Sequence, residues 1–206
     1  MPIAKDSGGD FTPLPAGSHV ARCFAVVSLG TQQSPMFPAS FKVMLMFEVP
    51  GETVVMDGKP APMTIQKEYT LSLSEKANLR RDLHSWRGRE FTAKELDGFA
   101  VETVCGAPCM LSVIHKTNQK NKTYANIGSI SSLPKGVQCP PLWHKAVKYE
   151  IEQGADAVFQ SLPEWIQEKI KRCEEWTRTT DSPAGQSEEP EPEVEPESTS
   201  GDSVPF

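Results

Sequence analysis

The chain has 206 residues, with 21 Lys or Arg against 27 Asp or Glu, and its formal net charge at pH 7 is −6. That length suffices for one domain with a sizeable core. The longest apolar run, residues 43–47, is too short to span a membrane, and residues 1–10 lack the apolar segment of a secretory signal. Five unevenly spaced cysteines do not suggest a disulfide framework, so we expect a reducing, cytoplasmic setting.

The first half of the chain is typical of β-structure. Residues 1–17 contain two prolines after Met1-Pro2 and three glycines, which predicts a flexible N-terminal segment. A first strand is expected over residues 19–28 and a second over 41–49, separated by a long loop that presents Phe37. Pro50-Gly51 is expected to end the second strand. After a turn at Asp57-Gly58, alternation over residues 63–73 predicts a third strand.

Alternation also assigns faces to these strands. In the second strand the odd-numbered residues from 41 to 49 form an apolar face, and the even-numbered ones, from Lys42 to Glu48, face away from it. We expect Lys42 and Lys67, with Tyr69 as a further candidate, on a polar face shared by strands two and three. The alternative for Tyr69 is a place in the core.

Capping boxes, in which the N-cap and N3 residues bond each other's backbone, mark the predicted helices. Ser72 with Glu75 predicts a helix that carries Leu79, Leu83 and Trp86 on one side and ends at Gly88. Thr92 with Glu95 predicts a second, short helix ending at Gly98. Ser161 with Glu164 predicts a third, whose apolar stripe we expect to pack on the β-structure; the stripe comprises Leu162, Trp165, Ile166, Ile170 and Cys173.

A two-strand hairpin follows the second helix, with strands over residues 109–116 and 124–131 and a basic loop between them. Three strands, a helix and a hairpin are the element order of a five-stranded oligonucleotide/oligosaccharide-binding (OB) barrel, with the helix between strands 3 and 4. The sequence therefore predicts a mainly β fold of this kind over residues 18–136, although other small β-barrels have similar element orders. Residues 137–178 are expected to form a C-terminal helical appendage.

Residues 179–206 are expected to form a disordered acidic tail. Residues 181–206 hold eight acids and no Lys or Arg, and five prolines interrupt them. Setting those eight aside leaves 19 acids against 21 basic residues, so residues 1–180 carry a net charge of +2. A mildly basic body with an acidic appendage is compatible with nucleic-acid contact.

Basic and aromatic side chains supply the candidate contacts to single-stranded DNA, because an OB barrel binds single strands through a basic groove and stacking platforms. Lys116, Lys120, Lys122 and Tyr124 lie on the hairpin, although a lysine-rich hairpin can equally be a solvated turn. The first predicted helix adds an arginine cluster that can bind phosphate or, alternatively, the chain's own acidic tail. Trp86 of the same helix can either stack on a base or pack in the core. The cluster comprises Arg80, Arg81, Arg87 and Arg89.

Neither a metal site nor catalysis is predicted. Cys105, Cys109, Cys139 and His144, with His115 as a fifth candidate, have a permissible but loose spacing for structural zinc. Cys109 also falls on the strand face expected in the core, where a free Cys packs as a small apolar residue. Nucleophile elbows, Gly-rich phosphate loops and Cys-x-x-Cys pairs are lacking from the sequence. We therefore expect no cofactor, no metal and no enzymatic activity.

Two stretches carry a family resemblance. The ending Asp202-Ser-Val204-Pro205-Phe206 resembles the tail tip of bacterial and phage single-stranded DNA-binding proteins, in which Asp-x-x-Pro-Phe docks onto replication and repair proteins. Residues 69–134 are similar to phage-type members of that group, through Leu-Ser-Leu-Ser-Glu-Lys, Trp-Arg-Gly-Arg, Pro-Cys-Met-Leu and Lys-Thr-Tyr-Ala-Asn-Ile. Ser-Leu-Pro-Glu-Trp-Ile-Gln-Glu-Lys-Ile, followed by Trp176, is similar to their closing helix. Asp202 stands alone where several adjacent aspartates are usual, which implies weaker docking.

The resemblance implies a non-sequence-specific protein that coats single-stranded DNA during phage replication, recombination or repair in a bacterial host. Partners would be recruited through Asp202, Val204, Pro205 and Phe206. The alternative is a β-barrel adaptor that binds no DNA and uses Val-Pro-Phe as a docking ligand. The sequence leaves the oligomeric state open.

Overall fold

Six β-strands form one curled half-barrel sheet in the computed structural model, which describes residues 12–56, 58–119 and 121–181, without the side chains of 178–181. The order is β3-β2-β1-β4-β5 with antiparallel neighbours, and the short β6 pairs in parallel with β1 at Ala25–Val27. The strands are β1 Gly17–Gln32, β2 Ser40–Met56, β3 Lys59–Thr70, β4 Pro108–Thr117, β5 Thr123–Ser131 and β6 Val147–Tyr149. The predicted mainly β class, with a helix between strands 3 and 4, is confirmed.

The helices lie between β3 and β4 and after β6. They are α1 Asn78–Arg87, α2 Ala93–Asp97, α3 Ala157–Ser161, α4 Glu164–Lys171 and α5 Glu174–Asp181, with 3₁₀ segments at Val101–Val104 and Ile151–Gln153. None of these helices in the described part of the chain has the length and apolar character that a membrane crossing requires.

Only one of the three predicted capping boxes forms. Thr92 and Glu95 cap α2 reciprocally, as expected. The box at Ser72 is wrong, because α1 begins only at Asn78 and its N-cap residue makes no side-chain bond. The box at Ser161 is also wrong, since Ser161 ends α3 and the rigid backbone of Pro163 precedes α4. The pattern identifies which side chains could form a cap, but the chain path decides whether a helix begins there.

The β2–β3 hairpin is longer than predicted. β2 continues through Pro50-Gly51 to Met56, because a register shift between Val49 and Thr53 absorbs the interruption. β3 already begins at Lys59, although Pro60 and Pro62 were expected to keep this segment irregular. Proline is tolerated there because β3 is the end strand of the sheet, with one edge that no other described strand pairs with.

Two hydrophobic cores lie on opposite faces of the sheet. The inner core joins alternate β2 residues to α1 and includes Val43, Leu45, Phe47, Val49, Leu79, Leu83 and Trp86, which confirms the predicted apolar faces at these positions. The opposite face of β2 was expected to face away from the core, yet Met44 and Met46 are buried in a second core beneath the C-terminal helices. The helical appendage therefore packs on the sheet as predicted, through Leu162, Ile166, Ile170 and Cys173, whereas Trp165 is 47% exposed.

Polar contacts fix this appendage to the sheet. Arg22 donates to the carbonyl oxygens of Gly106 at 2.7 Å, and of Cys139 and Pro140 at 3.0 Å each. Glu48, which was expected on the outward face, is fully buried and accepts bonds from the backbone of residues 143 and 144 and from the His144 ring. A buried carboxylate with three donors is well satisfied, so the segment leading to β6 is held in one position.

Gly30 of β1 lies directly against Cys173, the residue before α5. Its φ of +67° is unfavourable for other residues, and an added Cβ would lie 2.5 Å from Cys173 Sγ. We expect Gly30→Ala to lower the free energy of unfolding by about 2–4 kcal/mol, from overpacking plus backbone strain, measured by urea titration. Gly136→Ala is the control, because Gly136 has a φ of +84° with no atom near its Cβ position. Equal losses in the two variants would show that the contact with Cys173 does not constrain the appendage.

Candidate nucleic-acid interface

A cleft lies where the two outer strands of the main sheet approach each other. β3 is hydrogen-bonded to β2 and β5 to β4, while the curl of the sheet brings β3 and β5 together. We call the cleft between them the β3–β5 seam. It is lined by Gln66, Lys67, Glu68, Ile114, Lys116, Asn126, Ile127 and Gly128. The seam thus brings together two of the predicted lysines, Lys67 and Lys116, from strands far apart in the chain.

Lys67 is held at the seam by a buried carboxylate. Its Nζ lies 2.7 Å from Asp82 Oδ2, and the Tyr69 hydroxyl donates to the same oxygen at 2.8 Å. Tyr69 and Asp82 are 3% and 4% exposed. Burial, with a smaller effect from Asp82, raises the pKa of Tyr69, so its hydroxyl stays protonated and donates. Asp82 therefore positions Lys67 but also offsets its charge.

The predicted common polar face for Lys42, Lys67 and Tyr69 is wrong. Lys67 and Tyr69 pair across the ladder with Leu45 and Val43, so both belong to the inner face, and the Tyr69 ring is part of the inner core. Lys42 belongs to the other face, because successive residues of a strand alternate. Sequence alternation alone could not align β2 with β3.

A second cleft adjoins the seam at Glu68. Lys42 lies there with its Nζ donating to Thr70 Oγ1 at 2.7 Å, and Lys76 is a further cation that the sequence reasoning missed. The lining is Lys42, Glu68, Tyr69, Thr70, Ser72, Ser74, Lys76, Ala77 and Asn78. The signal for Lys76 was its place in the short polar connection between β3 and α1. Glu68 also forms an ion pair with Lys169 of α4.

The β4–β5 hairpin presents exposed groups beside the seam. Lys116 pairs across the ladder with Tyr124, a residue that is 39% exposed, and Lys122 is exposed at the turn. The backbone amide of Lys122 donates to Asn118 Oδ1 at 3.0 Å, which helps to close the turn. The predicted contact Lys120 lies outside the described residues, as do Asp202, Val204, Pro205 and Phe206. On the β1–β2 loop, Phe37 is 70% exposed.

The arginine cluster divides into two pairs. Arg87 and Arg89 both bind Glu95, and hydrogen bonding, led by that of Arg89, holds the pKa of the Glu95 carboxyl well below its usual range. Arg87 also lies over the rings of Phe91 and Phe99, 4.6 and 5.0 Å from their centres. These guanidinium groups are committed to contacts within the protein.

The other two arginines lie earlier on α1. Arg80 donates to the Leu73 carbonyl at 3.1 Å, which ties α1 to the end of β3. The side chain of Arg81 is 66% exposed and lies 3.4 Å from Asp82. The four arginines therefore do not form one phosphate-binding cluster. Arg81, next to the carboxylate that positions Lys67, is the more exposed of this pair.

Trp86 is a core residue in the structure. It is 6% exposed, its ring centre lies 5.5 Å from that of Phe47, and its Nε1 donates to the Pro108 carbonyl at 2.8 Å. A ring buried and bonded in this way presents no face on which a base could stack. Of the two roles that the sequence left open, the structure supports core packing.

The predicted Cys and His candidates do not assemble a metal site in the part of the chain that the structure describes. Among the described residues, no three His, Cys, Asp or Glu side chains are grouped so that they could hold a metal ion. His115 binds the Leu14 carbonyl and His144 binds Glu48. Cys109 is buried in the inner core, where burial raises the pKa of its thiol. The absence of a metal stays a prediction.

Comparison with models of known protein families finds no match, and no curated protein matches the chain. The family resemblance described above rests on the motifs quoted there.

Proposed function

We propose that the protein binds single-stranded DNA without sequence preference, along the β3–β5 seam and the adjoining hairpin. The observation that carries this proposal is that Lys67 and Lys116 line one cleft beside the exposed ring of Tyr124. Lys42 and Lys76 extend the positive charge into the adjoining cleft. Lysines along a groove suit a phosphate backbone, and exposed rings suit stacking of unpaired bases, whatever their sequence.

The strand order also supports an OB-type barrel. The strand order is β3-β2-β1-β4-β5, and α1 lies between β3 and β4. An OB barrel has this order and is closed where its two end strands, β3 and β5, approach each other. In OB barrels single strands bind across strands 2 and 3, flanked by the β1–β2 and β4–β5 loops. Those loops here carry Phe37 and the lysine-rich turn.

In this proposal the protein coats single-stranded DNA during phage replication or recombination, within the cytoplasm of the host cell, and catalyses no reaction. The resemblance of Asp202–Phe206 to known docking tips supports recruitment of replication or recombination proteins by that segment. The alternative, a β-barrel adaptor that binds no DNA, is separated from this proposal by the titration described next.

Binding of a fluorescent oligo-dT is expected to depend steeply on salt. If about four phosphates are neutralised, the slope of log affinity against log salt concentration should be near −3, using roughly −0.7 per phosphate for single strands. Fluorescence anisotropy between about 0.05 and 0.3 M NaCl measures this slope. Duplex DNA of the same length is the control and should bind more weakly. A flat salt dependence, or a preference for duplex, would overturn the proposal.

Two truncations separate the charge of the acidic tail from docking by its tip. Removing residues 181–206 deletes eight acids that would compete with phosphate at the lysines, so oligo-dT should bind more tightly, most visibly at low salt. Removing Phe206 alone leaves the number of acidic side chains unchanged. This should spare DNA affinity while abolishing pull-down of replication proteins from host lysate. If that pull-down survives loss of Phe206, the docking role of the tip is wrong.

A further inference from the structure

A pocket of a different chemical character opens into the barrel core between β1, β2, β6 and the 3₁₀ segment Val101–Val104. Its floor includes Val26, Val43 and Val101, three buried members of the inner core. The volume is about 250 Å³. That lies below the roughly 300–1,000 Å³ of typical small-molecule sites. The dimensions therefore suit one inserted side chain better than a cofactor.

The wall of this pocket keeps apolar surface in contact with water. It is formed by Phe41, Leu71 and Phe99, and Leu71 is 45% exposed although it follows β3 directly. Covering such surface with an apolar group is favourable because it removes apolar area from contact with water. A side chain the size of leucine, methionine or phenylalanine would both fill the pocket and cover Leu71.

The charge of the rim indicates the charge of the group that would bind there. Among the described residues, the rim holds Glu102, Glu150 and Glu152 with one cation, Lys148, which gives these four a formal net charge of −2. Glu150 also accepts a bond from the backbone of Gln153, which fixes its carboxylate in place. A negative rim repels phosphate, in contrast to the lysine-lined clefts, and attracts Lys or Arg. The pocket is therefore separate in chemistry from the proposed DNA surface.

We propose that this pocket docks a partner protein through a segment with one large apolar residue flanked by Lys or Arg. The apolar residue occupies the pocket, and the flanking cations meet Glu102, Glu150 and Glu152. The proposal does not depend on DNA binding, because it rests on a different set of residues. It assigns the protein a second interaction surface, on the barrel itself.

The test uses the full chain and two labelled peptides, Lys-Lys-Phe-Lys-Lys and Lys-Lys-Gly-Lys-Lys, in fluorescence anisotropy. The peptides carry equal charge, so any attraction to the acidic tail affects both alike. The phenylalanine peptide is expected to bind at least about tenfold more tightly, since one anchoring side chain supplies much of such an affinity. Leu71→Ala, which changes a half-exposed residue, should reduce this preference. Equal binding of the two peptides would overturn the proposal.

Variants of the rim test the charge. Glu102, Glu150 and Glu152 replaced together by Gln should weaken binding of the phenylalanine peptide by roughly tenfold. The matched control replaces three exposed acids outside the pocket, Glu75, Glu90 and Glu164, by Gln and should change it less than about twofold. Equal effects of the two triple variants would show that only net charge matters and would overturn the proposal.

Discussion

Replacing Lys116, Lys120 and Lys122 together by alanine is expected to weaken oligo-dT binding by about 100-fold at 0.1 M salt. If each lysine neutralises one phosphate, the log–log salt slope becomes shallower by about 2, at roughly 0.7 per phosphate. With 1 M salt as the common reference point of the two log–log lines, 0.1 M lies one decade lower. A slope difference of 2 therefore corresponds to about a 100-fold difference in affinity at 0.1 M. The loss should be similar for all base sequences, because phosphates carry no sequence information.

A matched variant tests whether the position of the charge matters. Lys59, Lys94 and Lys145 are exposed and lie outside both lysine-lined clefts, so replacing them by alanine removes the same charge elsewhere. We expect this control to weaken binding less than about threefold, since screening limits long-range effects at this ionic strength. Thermal unfolding of both triple variants should stay within about 0.5 kcal/mol of the parent protein. Unchanged DNA affinity of the hairpin variant would show that the hairpin is only a solvated turn.

Asp82→Ala is expected to lower the free energy of unfolding by roughly 2–4 kcal/mol in urea titration. Its carboxylate is buried and accepts from Tyr69 and Lys67. Removing one member of a buried ion pair leaves an uncompensated charge and an unsatisfied hydroxyl, which costs about 3–5 kcal/mol when burial is complete. We discount that figure because the Lys67 side chain retains 19% exposure.

Two conservative variants resolve this effect into its parts. Tyr69→Phe removes only the hydroxyl bond and should lose about 1 kcal/mol. Asp82→Asn keeps an acceptor for Tyr69 but removes the negative charge beside Lys67. If Lys67 contacts phosphate, folded Asp82→Asn should bind oligo-dT more tightly than the parent, with a steeper salt slope. A loss below about 1 kcal/mol for Asp82→Ala would contradict the stabilising role assigned to this cluster.

The linear pattern determined the elements that depend on local alternation and turn chemistry. The first five strands and the helix between β3 and β4 were predicted correctly in order, because the apolar side of a strand and the polar residues of a turn are close in sequence. β6 was not predicted, since its three residues lie in the range expected to be helical and pair with the distant β1. The inner face was predicted for the same reason at Val43, Leu45 and Phe47 of β2 and on the packing side of α1. The OB barrel, the DNA contacts and the docking tip stay predictions.

Tertiary structure alone decided what covers each face and which charges meet. Met44 and Met46 are buried because the C-terminal helices, more than a hundred residues later, pack over the outer face of β2. Glu48 on the same face is buried beneath the segment leading to β6, which donates to it from residues 143 and 144. Alternation shows which residues share a side of a strand, but it does not show whether a segment far along the chain packs over that side. Strand register likewise placed Lys67 on the inner face, next to Asp82, and Lys42 on the other face of the sheet. Folding also brought Arg87 and Arg89 to Glu95. These ion pairs could not be predicted from the sequence, because Coulomb attraction depends on the distance between two charges in space and not on their separation along the chain.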